Sequence, residues 1–264
     1  MRRFFVASIS AQLVLASAAP LHAAVLTPKV RLLTEKSRAV LNTAARSATA
    51  RPVLRSSYPW KRGIMTTIFW IGERAAANNP VPNDKSSWDA RWARNYGGYD
   101  DPDPRARRDY RPARFTPRLN PFYVALPYND VSNGRTKPEA ATVIPWFNNT
   151  FVRHGESVCK GRWLAIHYRG RVAFAQWEDV GPFRTNHWQY VFGDERPLPN
   201  RNNAAGLDIS PAVRDYLGLK SNDRVDWRFV EASEVPYGPW SRHTASSATL
   251  ASAASTQSGE LQRD

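Results

Sequence analysis

Between residues 63 and 240 the chain is a succession of short β-branched and aromatic runs, each cut off by glycine or proline. This punctuation restricts the fold more than any other feature. Thr66-Thr67-Ile68-Phe69-Trp70-Ile71 stops at Gly72, and Phe122-Tyr123-Val124-Ala125-Leu126 is enclosed by Pro121 and Pro127. Trp163–Tyr168 and Val172–Trp177 flank Arg169-Gly170-Arg171, which is short enough to be a hairpin turn. Val225-Asp226-Trp227-Arg228-Phe229-Val230 alternates apolar and polar residues, as a half-buried strand does. Trp188, Tyr190 and Phe192 alternate on a further candidate strand. Residues 99–118, rich in Pro, Asp and Arg, read as a long surface loop with offsetting charges.

Within this domain, helical signals are confined to two places. Trp88 to Tyr96 sets Trp88 and Trp92 four apart, with Ser86 and Ser87 as candidate N-caps. Pro211 to Leu217 carries a fuller signature: Ser210 at the N-cap, Pro211 at the first helical position, Gly218 at the exit, and Val213 and Leu217 on one face. The domain is therefore mainly β with short helices, and 20 Pro and 14 Gly imply extensive loops. Closing such a sheet into a small barrel removes its exposed edges.

The flanks read differently. Arg2 and Arg3 precede an apolar stretch from Phe4 to Leu15 and then small residues, so residues 1–24 are expected to be a signal peptide and the mature protein to be exported, periplasmic or extracellular. That stretch is short for a bilayer span and no other segment approaches one, so no stable membrane insertion is expected after cleavage. The formal charge of +14 sits mostly outside the folded part. Residues 25–62 hold nine Lys/Arg against one Glu, whereas residues 63–240 hold 24 basic against 20 acidic residues. Residues 25–62 are expected to be a disordered basic arm and residues 241–264 a disordered tail, leaving 63–240 as one domain. Export and a nearly balanced core argue against a nucleic-acid partner. The single Cys159 excludes an internal disulfide and is expected to be a buried small hydrophobe. All ten Trp lie between Trp60 and Trp240, enough aromatic area for a core. His154 and His167 have no metal-ligand spacing, and neither a metal nor a cofactor is expected.

Two segments place a carboxylate where the local pattern changes. Trp177-Glu178-Asp179-Val180-Gly181-Pro182-Phe183 ends a strand at a Gly-Pro turn, and Gly206-Leu207-Asp208-Ile209-Ser210-Pro211 leads into the capped helix. Strand ends aim side chains rigidly, and the loops beside them leave those side chains open. Asp179 and Asp208 are therefore the candidate catalytic residues, with a pair across neighbouring strands as one arrangement. Each also has a structural reading, Asp179 as the cap of its own turn and Asp208 as an acceptor of backbone donors near the helix start. Trp177, Phe183, His187 and Trp188 are candidate substrate-binding residues, although His187 also reads as a surface-loop residue and the aromatics as core.

A strand ending Asp-x-Gly-Pro-Phe, followed by Leu-Asp-Ile-Ser and a short helix ending at Leu217-Gly218, resembles the double-psi β-barrel of expansins and rare lipoprotein A. The resemblance covers roughly residues 64–231 and implies a six-stranded double-psi β-barrel that engages cell-wall polysaccharide, peptidoglycan in particular. It also implies lytic-transglycosylase-like cleavage, with Asp179 in the family's Asp role. The upstream strand of such enzymes carries a His, and Val124-Ala125-Leu126-Pro127 has none here; Glu73 is an acid near the first strand that no motif places. A non-catalytic glycan-binding module and a structural envelope domain are the alternatives.

Overall fold

The computed structural model describes residues 58–76, 79, 81–220 and 222–243. The signal segment, nearly all of the basic arm and nearly all of the tail lie outside the described residues. Six strands close into a barrel: β1 (Lys61–Ile68), β2 (Tyr123–Leu126), β3 (Trp163–Tyr168), β4 (Arg171–Val180), β5 (Leu207–Ile209) and β6 (Arg224–Val230). Around the barrel the order is β1-β6-β3-β4-β2-β5, closing back on β1. Two pairings, β1 with β5 and β2 with β4, are parallel, and the other four are antiparallel. The molecule is thus mainly β, with five short α-helices among the described residues: α1 (Trp92–Tyr96), α2 (Ala140–Val143), α3 (Phe147–Thr150), α4 (Trp188–Val191) and α5 (Pro211–Leu217).

Local sequence explains the best-defined pieces. β3 and β4 pair from Trp163↔Gln176 to Tyr168↔Arg171, leaving Arg169 and Gly170 as a two-residue turn with φ of 45° and 80°. Positive φ at both positions matches the right-handed twist of the flanking strands. Helix α5 has the predicted bounds. Ser210 Oγ accepts from Val213 N at 3.3 Å, and Gly218 closes the helix at φ 75°. Ser210 also donates to Pro121 O at 2.8 Å and accepts from Tyr123 N at 3.3 Å, so one hydroxyl ties α5 to β2.

β2 is buried on both faces, which is why it reads as an unbroken apolar run rather than an alternating one. Val124 and Leu126 enter the main core, where Trp177 lies 5.9 Å from Phe229 and nearly parallel to it. Tyr123 and Ala125 join a second cluster with Phe69, Ile71, Trp92 and Tyr96 on the opposite face.

Several local expectations need correction. β1 starts at Lys61 and stops at Ile68, so the last two residues assigned to the arm belong to the barrel. Helix α1 begins at Trp92 rather than Trp88, because Ser86 and Asp89 pair with each other in a turn and leave the four residues before α1 non-helical. Trp188–Val191 is one helical turn, not a strand; Tyr190 is buried in the main core and Phe192 packs against it. Residues 99–118 are not a simple surface loop. They contain a small hairpin, Arg107–Arg108 with Arg111–Pro112, and Arg107 is buried in an ion pair with the buried Asp100. Cys159 is a buried free thiol.

Candidate functional site

Strand register brings the two aspartates onto one row. Thr67 of β1 is level with Asp208 of β5, Asp208 with Ala125 of β2, and Ala125 with Asp179 of β4. Residues level with one another in neighbouring strands share a face. On β5, Leu207 and Ile209 enter the main core, which turns Asp208 to the opposite face. Asp179 reaches that face through an irregularity: Val124 pairs with Trp177 but Ala125 pairs with Asp179, so Glu178 is an extra residue in β4. Uninterrupted pairing would set Glu178 level with Ala125. The bulge re-aims the strand end and substitutes Asp179. The two aspartates are thus not on neighbouring strands, because β2 lies between them. Two strand spacings put their backbones about 10 Å apart, with the Ala125 methyl between.

This row is the floor of a groove of roughly 800 Å³. Its walls are the 81–87 segment, the turn Gly181–Thr185, and Arg201 and Asn202 from the long insert before β5. A third carboxylate, Glu73, faces the same space. It arrives by a turn immediately after β1, where Glu73 N donates to Trp70 O at 3.0 Å and Gly72 N to Asn83 O at 2.8 Å. Asn83 Nδ2 donates to Glu73 Oε2 at 3.0 Å. Gly181 brings backbone close to the floor. A methyl group at that position would lie 3.0 Å from Asp208 Oδ2.

Burial raises all three carboxyls, and their hydrogen-bond partners differ. Burial pushes the Asp208 carboxyl up to about 7, against the opposing hydrogen bond from the Thr67 hydroxyl; the charges of Asp179 and Glu73 push it further. Burial also raises Asp179, but two backbone donors hold its ionised form: Ser87 N at 2.8 Å and Val180 N at 2.7 Å, both to Oδ1. Glu73 is raised by burial, opposed by its hydrogen bonds to Asn79, Trp70 and Asn83. The groove therefore holds one carboxyl able to carry a proton near neutral pH beside another fixed by backbone amides. That asymmetry is what a proton donor and acceptor pair requires.

Of the residues singled out in the sequence, Asp179, Asp208 and Phe183 line the groove, with the Phe183 ring 48% exposed at its edge. Trp177 does not; at 0% exposure it is a core residue and has no face for a ligand, although its Nε1 donates to Asp179 O at 2.8 Å. His187 is neither in the groove nor on the surface. It is 4% exposed, and its Nε2 pairs with Glu195 Oε2 at 3.1 Å while its backbone N donates to Pro127 O at 2.9 Å. Trp188 is packed against the main core and is absent from the groove lining. No sequence motif assigns Glu73 a role. The signal that points to it is Gly72, a turn residue directly after a strand, which folds the next side chain back over the sheet. Among the described residues no cluster is arranged to hold a metal ion, and no helix is long and apolar enough to cross a membrane.

No protein-family model matches the chain, and no curated protein matches it. Among solved structures it is similar to a Streptomyces papain inhibitor at 14% identity, covering 67% of this chain and 98% of that one, with a TM-score of 0.26. At that level the likeness supports no conclusion about fold or activity.

Proposed function

We propose that this protein is an exported double-psi β-barrel of the expansin and rare lipoprotein A type whose groove engages cell-wall polysaccharide, peptidoglycan in particular, and cleaves it. The barrel assignment is supported by the two parallel pairings, β1–β5 and β2–β4, and by the Asp-x-Gly-Pro-Phe and Leu-Asp-Ile-Ser segments meeting on one row. The observation that carries the functional reading is the shared groove of Asp208, Asp179 and Glu73, with Asp208 titrating near 7.

In this reading Asp208 is the acid. Its proton passes to the glycosidic oxygen as the carbon–oxygen bond breaks, and the departing sugar leaves as an alcohol. Its carboxylate then takes the proton of an internal sugar hydroxyl that closes on the anomeric carbon, so the acid is regenerated and no water is consumed. Asp179, whose Oδ1 accepts from the Ser87 and Val180 amides, stabilises positive charge developing on the sugar ring. Phe183 offers an exposed ring against a sugar face.

Muropeptide analysis of purified sacculi tests the proposal. Wild type is expected to release soluble anhydro-terminated products, with Asp208→Asn and Asp179→Asn each reduced at least a hundredfold. Release by either variant at the wild-type rate would overturn the assignment. A second reading, glycan binding without cleavage, is favoured by one observation: among the described residues the groove lining contains no histidine. Retention on sacculi with no soluble product from wild type selects it.

A further inference from the structure

We propose that the groove selects a carboxylate-bearing glycan over a neutral one, and that Lys85 and Arg184, with Arg201, read those carboxylates from its rim. This rests on the reading of the groove as a glycan site. The three basic side chains come from three separate segments, the 81–87 wall, the Gly181–Thr185 turn and the insert before β5, yet all line one groove and all are exposed. One acid, Asp84, shares that exposed rim, so cations outnumber it three to one.

The cations are not there to neutralise the floor. Lys85 and Arg184 form no ion pair among the described residues, and neither Glu73, Asp179 nor Asp208 is paired with a cation. The floor meets its needs with Thr67, Asn83 and the amides of Ser87 and Val180 instead. Its own negative field is also reduced, because Asp208 carries a proton for part of the time near neutral pH. A ligand lying along the groove thus meets hydrogen-bonded carboxyls below and, in Lys85 and Arg184, positive charges outside any described ion pair at its edges. A neutral chain uses only the first set. A chain with carboxylates projecting from its sugars, or from substituents on them, also gains charge-assisted hydrogen bonds to Lys and Arg. Phe183 on the same rim supplies an apolar face for the sugar between those charges.

The test measures binding of the full chain to four probes: a neutral chitin hexasaccharide, an oligogalacturonate of the same length, intact sacculi, and sacculi stripped of peptide by an amidase. Wild type is expected to bind the oligogalacturonate at least tenfold more tightly than the chitin hexasaccharide in 50 mM salt. That ratio should fall several-fold in 300 mM salt, since exposed charges are screened. A preference for intact over stripped sacculi places the recognised carboxylates on the peptides, and equal binding places them on the sugars. The Lys85→Glu/Arg184→Glu variant is expected to lose the tenfold ratio, while Arg108→Glu, an exposed arginine outside the groove, is expected to keep it. Both variants change exposed side chains, so unchanged melting temperatures show that the fold is intact. Equal affinity of wild type for the neutral and acidic hexamers, or an undiminished ratio in the double variant, overturns the inference and leaves glycan binding standing. Failure of wild type to bind any of the four overturns both.

Discussion

Asp208 and Asp179 are the same residue type on the same row of the sheet, and their partners make them chemically unequal. Asp208 has the Thr67 hydroxyl and a crowded, partly buried position; Asp179 has two backbone amides. The cost of that arrangement is measurable. An aspartate ordinarily titrates near 3.8, and Asp208 in the folded protein titrates near 7. Between those values the folded state holds a proton that the unfolded state has released, so this group's contribution to stability falls as pH rises from about 4 to about 7. The full linkage is at most about 4 kcal/mol and is reduced by solvent at the open side of the groove. Asp208→Asn removes the titration while keeping an oxygen for Thr67. The variant is therefore expected to melt higher than wild type at pH 8, by several degrees, with a much smaller gap at pH 5. Thermal melts at the two pH values check this, and an identical gap at both would remove Asp208 as the perturbed group. Stability gained where activity is lost is the usual signature of a strained functional site.

At the scale of elements, the sequence was readable wherever the signal is local. Ser210, Pro211 and Gly218 mark both ends of α5 because caps act within one turn. The position of Asp179 was not readable, because it depends on a bulge defined by the partner strand, and nothing in Glu178-Asp179 shows which of the two will lie level with Ala125. Trp188-Gln189-Tyr190-Val191-Phe192 misleads for a related reason. Its alternation has period two, but the buried Tyr190 meets the core from a single helical turn, and tertiary packing decided the outcome. Ser210→Ala removes a cap and the tie to β2 together, and is expected to cost about 2 kcal/mol, read from the denaturant midpoint. Ala125→Leu sets a branched side chain between the two aspartates. Loss of glycan binding with both carboxyls still present is expected, and unaltered retention on sacculi would show that the ligand does not use the floor.

On the scale of the whole molecule, the segment from 99 to 118 acts as a brace rather than a loop. Arg107 Nε donates to Asp215 of α5 at 3.0 Å, and its two terminal nitrogens donate to the Asp101 and Tyr110 carbonyls, each at 2.9 Å, and to the Asp100 carboxylate. Asp100 in turn accepts from the Tyr123 hydroxyl of β2 at 2.9 Å, and that hydroxyl accepts from Ile71 N at 3.1 Å, beside the turn that delivers Glu73. One guanidinium thus joins the helix after Asp208, the strand carrying Ala125 and the segment leading to Glu73. Its side chain and that of Asp100 are almost wholly buried, so removing one partner strands the other. Arg107→Met is expected to cost roughly 3–5 kcal/mol, and Asp100→Asn in the same chain to recover a large part of it by removing the orphaned charge. If the brace positions the groove as well as stabilising the fold, the double variant will unfold near the wild-type midpoint yet retain less activity on sacculi. A double variant that recovers stability and activity in equal measure would confine Arg107 to holding the fold together.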